Sequence, residues 1–179
     1  APAFECWQVE GEVAHGRRDG IAWSEDGALQ FGALEIDDNG DVEAASREAY
    51  ARLQAWLAGC GYPHPLRIWN YLDAITEGED DDERYRRFCV GRAQGIGRAL
   101  APAELPAATA IGHPARTGRF QLYWLAARQP GTPLENPRQL QAWRYPRQYG
   151  PQAPGFARAL LPASEAMPLL LSGTAAVVG

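Results

Sequence analysis

A mixed α/β fold, one mixed β-sheet packed by two main helices, is predicted by three features of this sequence. Short runs of strand character recur along the chain. Two longer stretches carry apolar residues at helical spacing, and strands and helices interleave rather than segregate. The 179 residues, 46% hydrophobic and 22% charged, suit an ordinary globular domain that buries its own core without disulfide or metal staples.

Taken in order, FECWQVEG (4–11) and residues 27–36 read as strands joined by Gly- and Asp-rich turns. Residues 41–57 place Val42, Ala45, Ala49, Leu53, Trp56 and Leu57 on one helical stripe, with Asp41 as N-cap and Gly59 and Gly61 as the stop. LRIWNYL (66–72) is the next strand. Residues 77–83 hold six acids in seven positions ahead of a second helix over 82–98. Acids there complement a helix N-terminal dipole, which fits better than a solvent-facing recognition tail. ATAIGH (108–113) and RFQLYWLAAR (119–128) are further strands, the second alternating Phe120, Leu122 and Trp124 with Gln121 and Tyr123. Residues 129–155 form a long Pro/Gly-rich connection without periodicity, a length that is uncommon unless the loop serves a function. MPLLLSGTAAVVG (167–179) reads as an apolar strand. An apolar edge is unusual at a chain end, so the sequence is expected to be part of a longer polypeptide.

Composition excludes several chemistries. All seventeen basic side chains are arginine, which removes Schiff-base lysines, lysine-held pyridoxal phosphate and the phosphate loop with its lysine. Cys6, Cys60 and Cys89 lie far apart. Cys60 with His64 is the nearest approach to a metal pair and has no second pair, so no metal site is expected. There is no charged-then-apolar leader and no apolar run of membrane length, so a cytoplasmic protein without a membrane partner is expected.

Charge is divided unevenly. Residues 1–83 hold nineteen acids and five arginines, a balance of −14, and residues 84–179 hold three acids and twelve arginines, a balance of +9. Either the two halves neutralise one another, or the second carries an anion site built on arginine forks. The acidic net charge of −5 disfavours nucleic acid.

Two stretches carry candidate chemistry. In the second helix Tyr85, Phe88, Cys89, Arg92 and Ile96 share one stripe, so Arg92 is carried onto an apolar face. A buried guanidinium needs an anion, and either a carboxylate such as Asp73 or a ligand would supply it. Gly91, Gly95 and Gly97 suit a close helix-to-sheet approach and do not form a dinucleotide fingerprint. Residues 134–159 bring Arg138, Arg144, Arg147 and Arg158 together with Trp143, Tyr145, Tyr149 and Phe156 on a proline-stiffened loop. Such a loop either grips a carboxylate and covers a flat ring or packs its aromatic side chains on the sheet.

RIWNYLDAITEG (67–78), ERYRRFCVGR (83–92), LPAATAIG (105–112), ENPRQ (135–139), YPRQYGP with PGFARA (145–159) and LLLSGTAAVVG (169–179) follow in this order. Together they resemble the chorismatase family, chorismate-consuming enzymes that include 3-hydroxybenzoate synthases and FkbO-type hydrolases. The resemblance runs from about residue 67 to the end, and residues 1–66 match in general layout only. It implies a fold related to RidA/YjgF proteins, with an N-terminal domain over 1–167 and the first strand of a YjgF-like C-terminal half over 168–179. It also implies chorismate bound at the junction of the halves without metal or organic cofactor, and the chain's own C-terminal domain as partner. In such enzymes an acid protonates the enolpyruvyl methylene, and pyruvate leaves to give a 3- or 4-hydroxybenzoate or a dihydrodiol. The glutamate that serves as that acid lies beyond residue 179, so no catalytic residue is assigned here, and this stretch alone is expected to be inactive. Substrate-binding roles carry over to Arg84, Arg92, Arg138, Tyr149 and Arg158, and more weakly to Arg144 and Arg147. Ala153, Gly155 and Ala157 stand where relatives often have serines, which removes hydroxyl contacts from that loop. The alternatives are a non-catalytic scaffold that shapes a cleft and a RidA-like imine hydrolase.

Overall fold

The computed structural model describes residues 6–113, 116–175 and 177. A six-stranded sheet is ordered β1-β2-β3-β6-β4-β5, from β1 (Ala14–Arg18), β2 (Ile21–Glu25), β3 (Leu29–Asp37), β4 (His64–Asp73), β5 (Ala107–His113) and β6 (Arg119–Ala127). Within this sheet β4 and β5 pair in parallel and the other described strand pairs are antiparallel, and helix α2 (Arg84–Ile96) lies between β4 and β5 in sequence. Helix α1 (Val42–Gly59) connects β3 to β4, which are not neighbours, because β6 inserts between them antiparallel to both.

The strands follow their alternation. In β3 Gln30, Gly32, Leu34 and Ile36 turn inward, and Phe120, Leu122 and Trp124 of β6 do the same. Gly32 is required: a Cβ there would collide with the Trp124 indole, which is fully buried. The inward side chains meet Val42, Ala45, Ala49, Leu53 and Leu57 of α1 and Phe88 and Cys89 of α2 in one core. The opposite face carries a half-exposed aromatic row, Phe31, Trp69, Tyr71 and Tyr123, with neighbouring rings 5.7–6.3 Å apart.

Helix α1 starts where Asp41 accepts the Ala44 N–H at 3.1 Å, as an N-cap should. Helix α2 stops at Gly97, whose φ of +73° is the left-handed cap that glycine favours. The acidic run forms a short 3-10 turn, Asp80–Asp82, directly before α2, so its negative charge does sit at that helix start.

Three sequence expectations are corrected. Residues 6–11 form no strand, and residues 4 and 5 lie outside the described ones; the hairpin is instead β1–β2. Asp19 and Gly20, with φ of +52° and +75°, make a two-residue turn of the primed type that matches strand twist and fixes the pairing Arg18↔Ile21. Gly91 and Gly95 serve helix-to-helix rather than helix-to-sheet contact: a Cβ at Gly91 would strike Glu43 O and Ser46 Oγ, and one at Gly95 would strike Arg47 O, all on α1. Residues 129–155 are less irregular than their composition suggests. They contain β7 (Thr132–Leu134) and 3-10 turns at Ala142–Arg144 and Arg147–Tyr149.

A small sheet joins β7 to β8 (Ala159–Leu161) and β9 (Leu170–Leu171). Ser172 then ties the chain back to β5 by accepting the Ala108 N–H at 2.8 Å, and Gly173 donates to Thr109 Oγ1 at 3.0 Å. Of the apolar run at the end of the sequence, residues 176, 178 and 179 lie outside the described ones.

Candidate functional site

Residues 135–158 form a strap along α2, and arginines hold it down. Arg158 is buried, 7% exposed. It donates to Leu140 O at 2.7 Å, Ala175 O at 3.2 Å and Tyr145 Oη at 3.2 Å, and its Nε lies 3.8 Å from Glu135. The three hydrogen bonds satisfy polar groups that burial would otherwise penalise. Arg147 grips Asp81 with both terminal nitrogens, one at 2.8 Å, and holds the Asp81 carboxyl below its usual pKa. Arg86 adds a bond to Gln148 O at 3.3 Å. The acidic run therefore anchors the strap as well as the helix start.

Arg84 is committed inside the fold as well. It pairs with buried Asp38 and donates from Nε to Asp73 O at 3.0 Å, which ties the ends of β3 and β4 to the start of α2. Asp73 itself accepts the Gly118 N–H at 2.7 Å and the Thr117 hydroxyl at 3.2 Å. The pairing of Asp73 with Arg92, one of the two alternatives the sequence offers, thus gives way to a loop-closing role.

Arg92 lies on the buried stripe as its spacing predicts, 4% exposed. It donates to Gly155 O on the strap, and its guanidinium sits 5.3 Å from the Tyr50 ring centroid. No carboxylate pairs with it among the described residues. Around it lie Tyr50, Tyr85 and Cys89. Burial raises the pKa of both phenols and pushes the thiol up to about 11, so all three are neutral at pH 7. Tyr50 Oη donates to Asn70 Oδ1 at 2.8 Å, and Asn70 Nδ2 donates to Thr109 O at 3.0 Å.

Tyr149 and Arg138 are the outward members of the predicted set. Tyr149 is 43% exposed, and its ring lies 5.5 Å from that of Tyr145, which in turn receives the Arg158 bond. The Arg138 backbone is fixed by Asn136 Oδ1 at 2.9 Å, while the residue itself is exposed. Arg144 is exposed too. The five predicted residues therefore separate into three buried or half-buried anchors, Arg84, Arg92 and Arg158, and two solvent-facing side chains on the strap.

Sequence reasoning misses Glu135 as the partner of Arg158 and the Tyr50–Asn70 pair. A signal for the latter is present: an asparagine within the apolar strand IWNYL requires a polar partner if that strand is central. Among the described residues no group of three or more His, Cys, Asp or Glu converges as a metal centre, and no helix is long and apolar enough to cross a membrane.

The family model described as chorismatase FkbO/Hyg5-like, N-terminal, matches residues 5–126. A chorismatase of Streptomyces rapamycinicus is 39% identical over 98% of this chain and 54% of its own length. A 3-hydroxybenzoate synthase of Streptomyces hygroscopicus is 39% identical over 99% of this chain and 54% of its own. A chorismatase crystal structure superimposes with a TM-score of 0.81 at 39% identity, covering 92% of this chain and 50% of that one. The chain thus spans about half the length of the curated relatives it matches.

Proposed function

Because this chain belongs to the FkbO/Hyg5-like chorismatase family, we propose that it acts as the N-terminal half of an enzyme that converts chorismate to a hydroxybenzoate or a dihydrodiol and pyruvate. The observation that carries this reading is the 39% identity extending over nearly the whole chain, strap included. The remaining half, opening with residues 168–179, would be YjgF-like and would supply the glutamate that protonates the enolpyruvyl methylene. Three unpaired thiols suit a reducing compartment, which favours the cytoplasm.

In this reading Arg84, Arg92, Arg138, Tyr149 and Arg158 build the substrate surface, with different duties. Tyr149 and Arg138 face outward and touch substrate carboxylates. Arg158, Arg92 and Arg84 are positioning residues that fix the strap and the strand ends beneath it. Fixing the strap before substrate arrives lowers the ordering cost of binding. A grip that tightens as the ether bond breaks raises the rate, whereas a uniform grip does not. A scaffold without contact to substrate is the competing reading, and it draws on the internal pairing of Arg84 and Arg158.

The test is pyruvate release from chorismate by a polypeptide joining these 179 residues to a C-terminal half such as the relatives possess, measured beside the 179-residue chain alone. Pyruvate from the joined form only is expected. Pyruvate from neither removes the proposal, and turnover by the shorter chain places the proton donor within these residues. In the joined form Tyr149→Phe deletes one hydrogen bond to a charged group, worth ~1.5–3 kcal/mol, so kcat/KM is expected to fall about ten- to a hundredfold. Full activity of that variant would favour the scaffold.

A further inference from the structure

We infer that the outward face of the small sheet β7-β8-β9 is the seat of the enzyme's second half, which closes over it as an apolar layer. The inference rests on the reading that this chain is the N-terminal half of a longer polypeptide. It deepens that reading by naming the surface on which the halves meet.

Strand register places the face. Pro133, Leu160 and Leu170 lie side by side across the three strands, and Leu160 and Leu170 turn inward onto Leu66, Ala107 and Leu125. The other side carries Leu134, Ala159 and Leu171 in one row and Thr132 beside Leu161 in the next. Leu169 directly precedes β9 and alternates with buried Leu170, so it belongs to the same side. Leu134, Leu161, Leu169 and Leu171 are 38, 49, 46 and 63% exposed. Single exposed leucines are ordinary on a protein surface. Four on one side of one small sheet make a patch, and such patches mark contacts.

The amino-acid pattern points the same way. A strand with one wet face alternates apolar and polar residues, whereas a strand covered on both faces is apolar throughout. Ala159-Leu160-Leu161 and Leu169-Leu170-Leu171 are of the second kind. Among the described residues only the inner cover is present, and the four leucines meet water.

Chain length and charge identify the occupant. The relatives match nearly all of this chain, which makes up 54% of their length, so a second half of similar size exists in such proteins to cover the sheet. Leu169 and Leu171 stand on residues 168–179, the segment that opens the second half in this reading, and tethering gives that half a high effective concentration at the face. Thr132, Ala159 and the four leucines carry no charge, which suits an apolar protein layer and offers nothing to a nucleic acid. The face is also held in place. Ser172 donates its N–H to Arg158 O at 2.9 Å and accepts the Ala108 N–H at 2.8 Å, which fixes the end of β9 against β8 and β5. A preformed surface lowers the ordering cost of docking.

Thermal unfolding and sedimentation of the 179-residue chain and of the joined polypeptide, each with Leu161→Glu or Leu171→Glu, test the face without measuring turnover. In the 179-residue chain both variants are expected to melt within about 2 °C of the parent, because the leucines are exposed there. In the joined form each is expected to lower the melting temperature by about 4 °C or more, since a carboxylate then enters an apolar contact. Leu161→Met, which keeps the position apolar, is expected to melt near the parent in both forms. No loss in the joined form would overturn the proposal. Equal loss in both forms would overturn it too, by showing that the face is covered within these 179 residues. A second copy of the chain is the competing occupant, and a dimer of the joined form that Leu161→Glu dissociates would decide for it. Pyruvate release by a joined form whose melting ignores both substitutions removes the seat alone. Melting that depends on the leucines, without pyruvate, keeps the seat and removes the chorismate reading.

Discussion

Helices α1 and α2 are fastened to the sheet and to each other by apolar burial and close backbone approach, whereas the strap over residues 135–158 is fastened mainly by guanidinium groups. In the first region the partners are Val42, Leu53, Phe88, Leu122 and Trp124, with Gly91 letting α2 settle against α1. In the second they are Arg158, Arg147, Arg92 and Arg86 reaching carbonyls and carboxylates. Apolar burial is non-directional and tolerates small repacking. Guanidinium forks are directional, so they set the strap's conformation residue by residue. A helical layer built the first way is a stable base, and a strap built the second way is a shaped surface. The two also differ in how they fail.

The largest effect is expected from Gly91→Leu, which forces a side chain into the Glu43 carbonyl and Ser46 hydroxyl of α1. Neither is a flexible side-chain end, so the helices must separate, at a cost of ~3 kcal/mol or more. Urea unfolding should show the whole domain weakened in one transition, and a variant of parental stability would mean the helices are not closely apposed at Gly91. Arg158→Met comes next. It strips Leu140 O, Ala175 O and Tyr145 Oη of their shared donor, at ~2 kcal/mol for the acceptors left buried. Because the damage is confined to the strap, hydrogen exchange should quicken across residues 135–158 while the α1 and β6 amides keep their protection. Uniform loss of protection would erase the distinction between the two regions.

The smallest effect concerns pH. Glu104, clipped by Arg98 and by the Ala101 N–H at 2.8 Å, has its pKa lowered from 4.5 to about 2. A depressed carboxyl favours the folded state above its unfolded value and loses that contribution as pH falls through the folded one. The clip should therefore persist through pH 3 and release toward pH 2. A carboxyl titration of Glu104 by NMR with its midpoint near 4.5 would show that Arg98 is not engaged.

The same contrast explains which parts of the fold and the site are legible in the amino-acid sequence. Helix α1, its Asp41 cap, β3, β4 and β6 follow from apolar spacing, because burial imposes a period on the sequence. Arg92 is legible for the same reason, as a charge on an apolar stripe. The partners of Arg84 and Arg158 are not: Asp38 lies forty-six residues from Arg84, and Glu135 twenty-three from Arg158, with no pattern linking them. The β1–β2 hairpin escapes sequence reasoning although Asp19-Gly20 is a strong turn signal, because the aromatic residues of FECW draw the expected strand toward residues 4–11. In the strap, prolines mask short 3-10 turns that have no apolar period of their own.

The place of β6 has a consequence for synthesis on the ribosome. It fills the slot between β3 and β4, pairing Leu29↔Ala127 on one side and His64↔Ala127 on the other. Until residue 127 has emerged, β3 and β4 each present an unpaired edge, and the inward faces of Leu34 and Ile68 have no Trp124 to cover them. Pairings between residues so distant in sequence close slowly because loop entropy must be overcome first. A growing chain therefore passes through a stage at which α1 and the β1–β3 meander can form but the sheet cannot. At that stage the open slot is the surface exposed to chaperones or to another nascent chain.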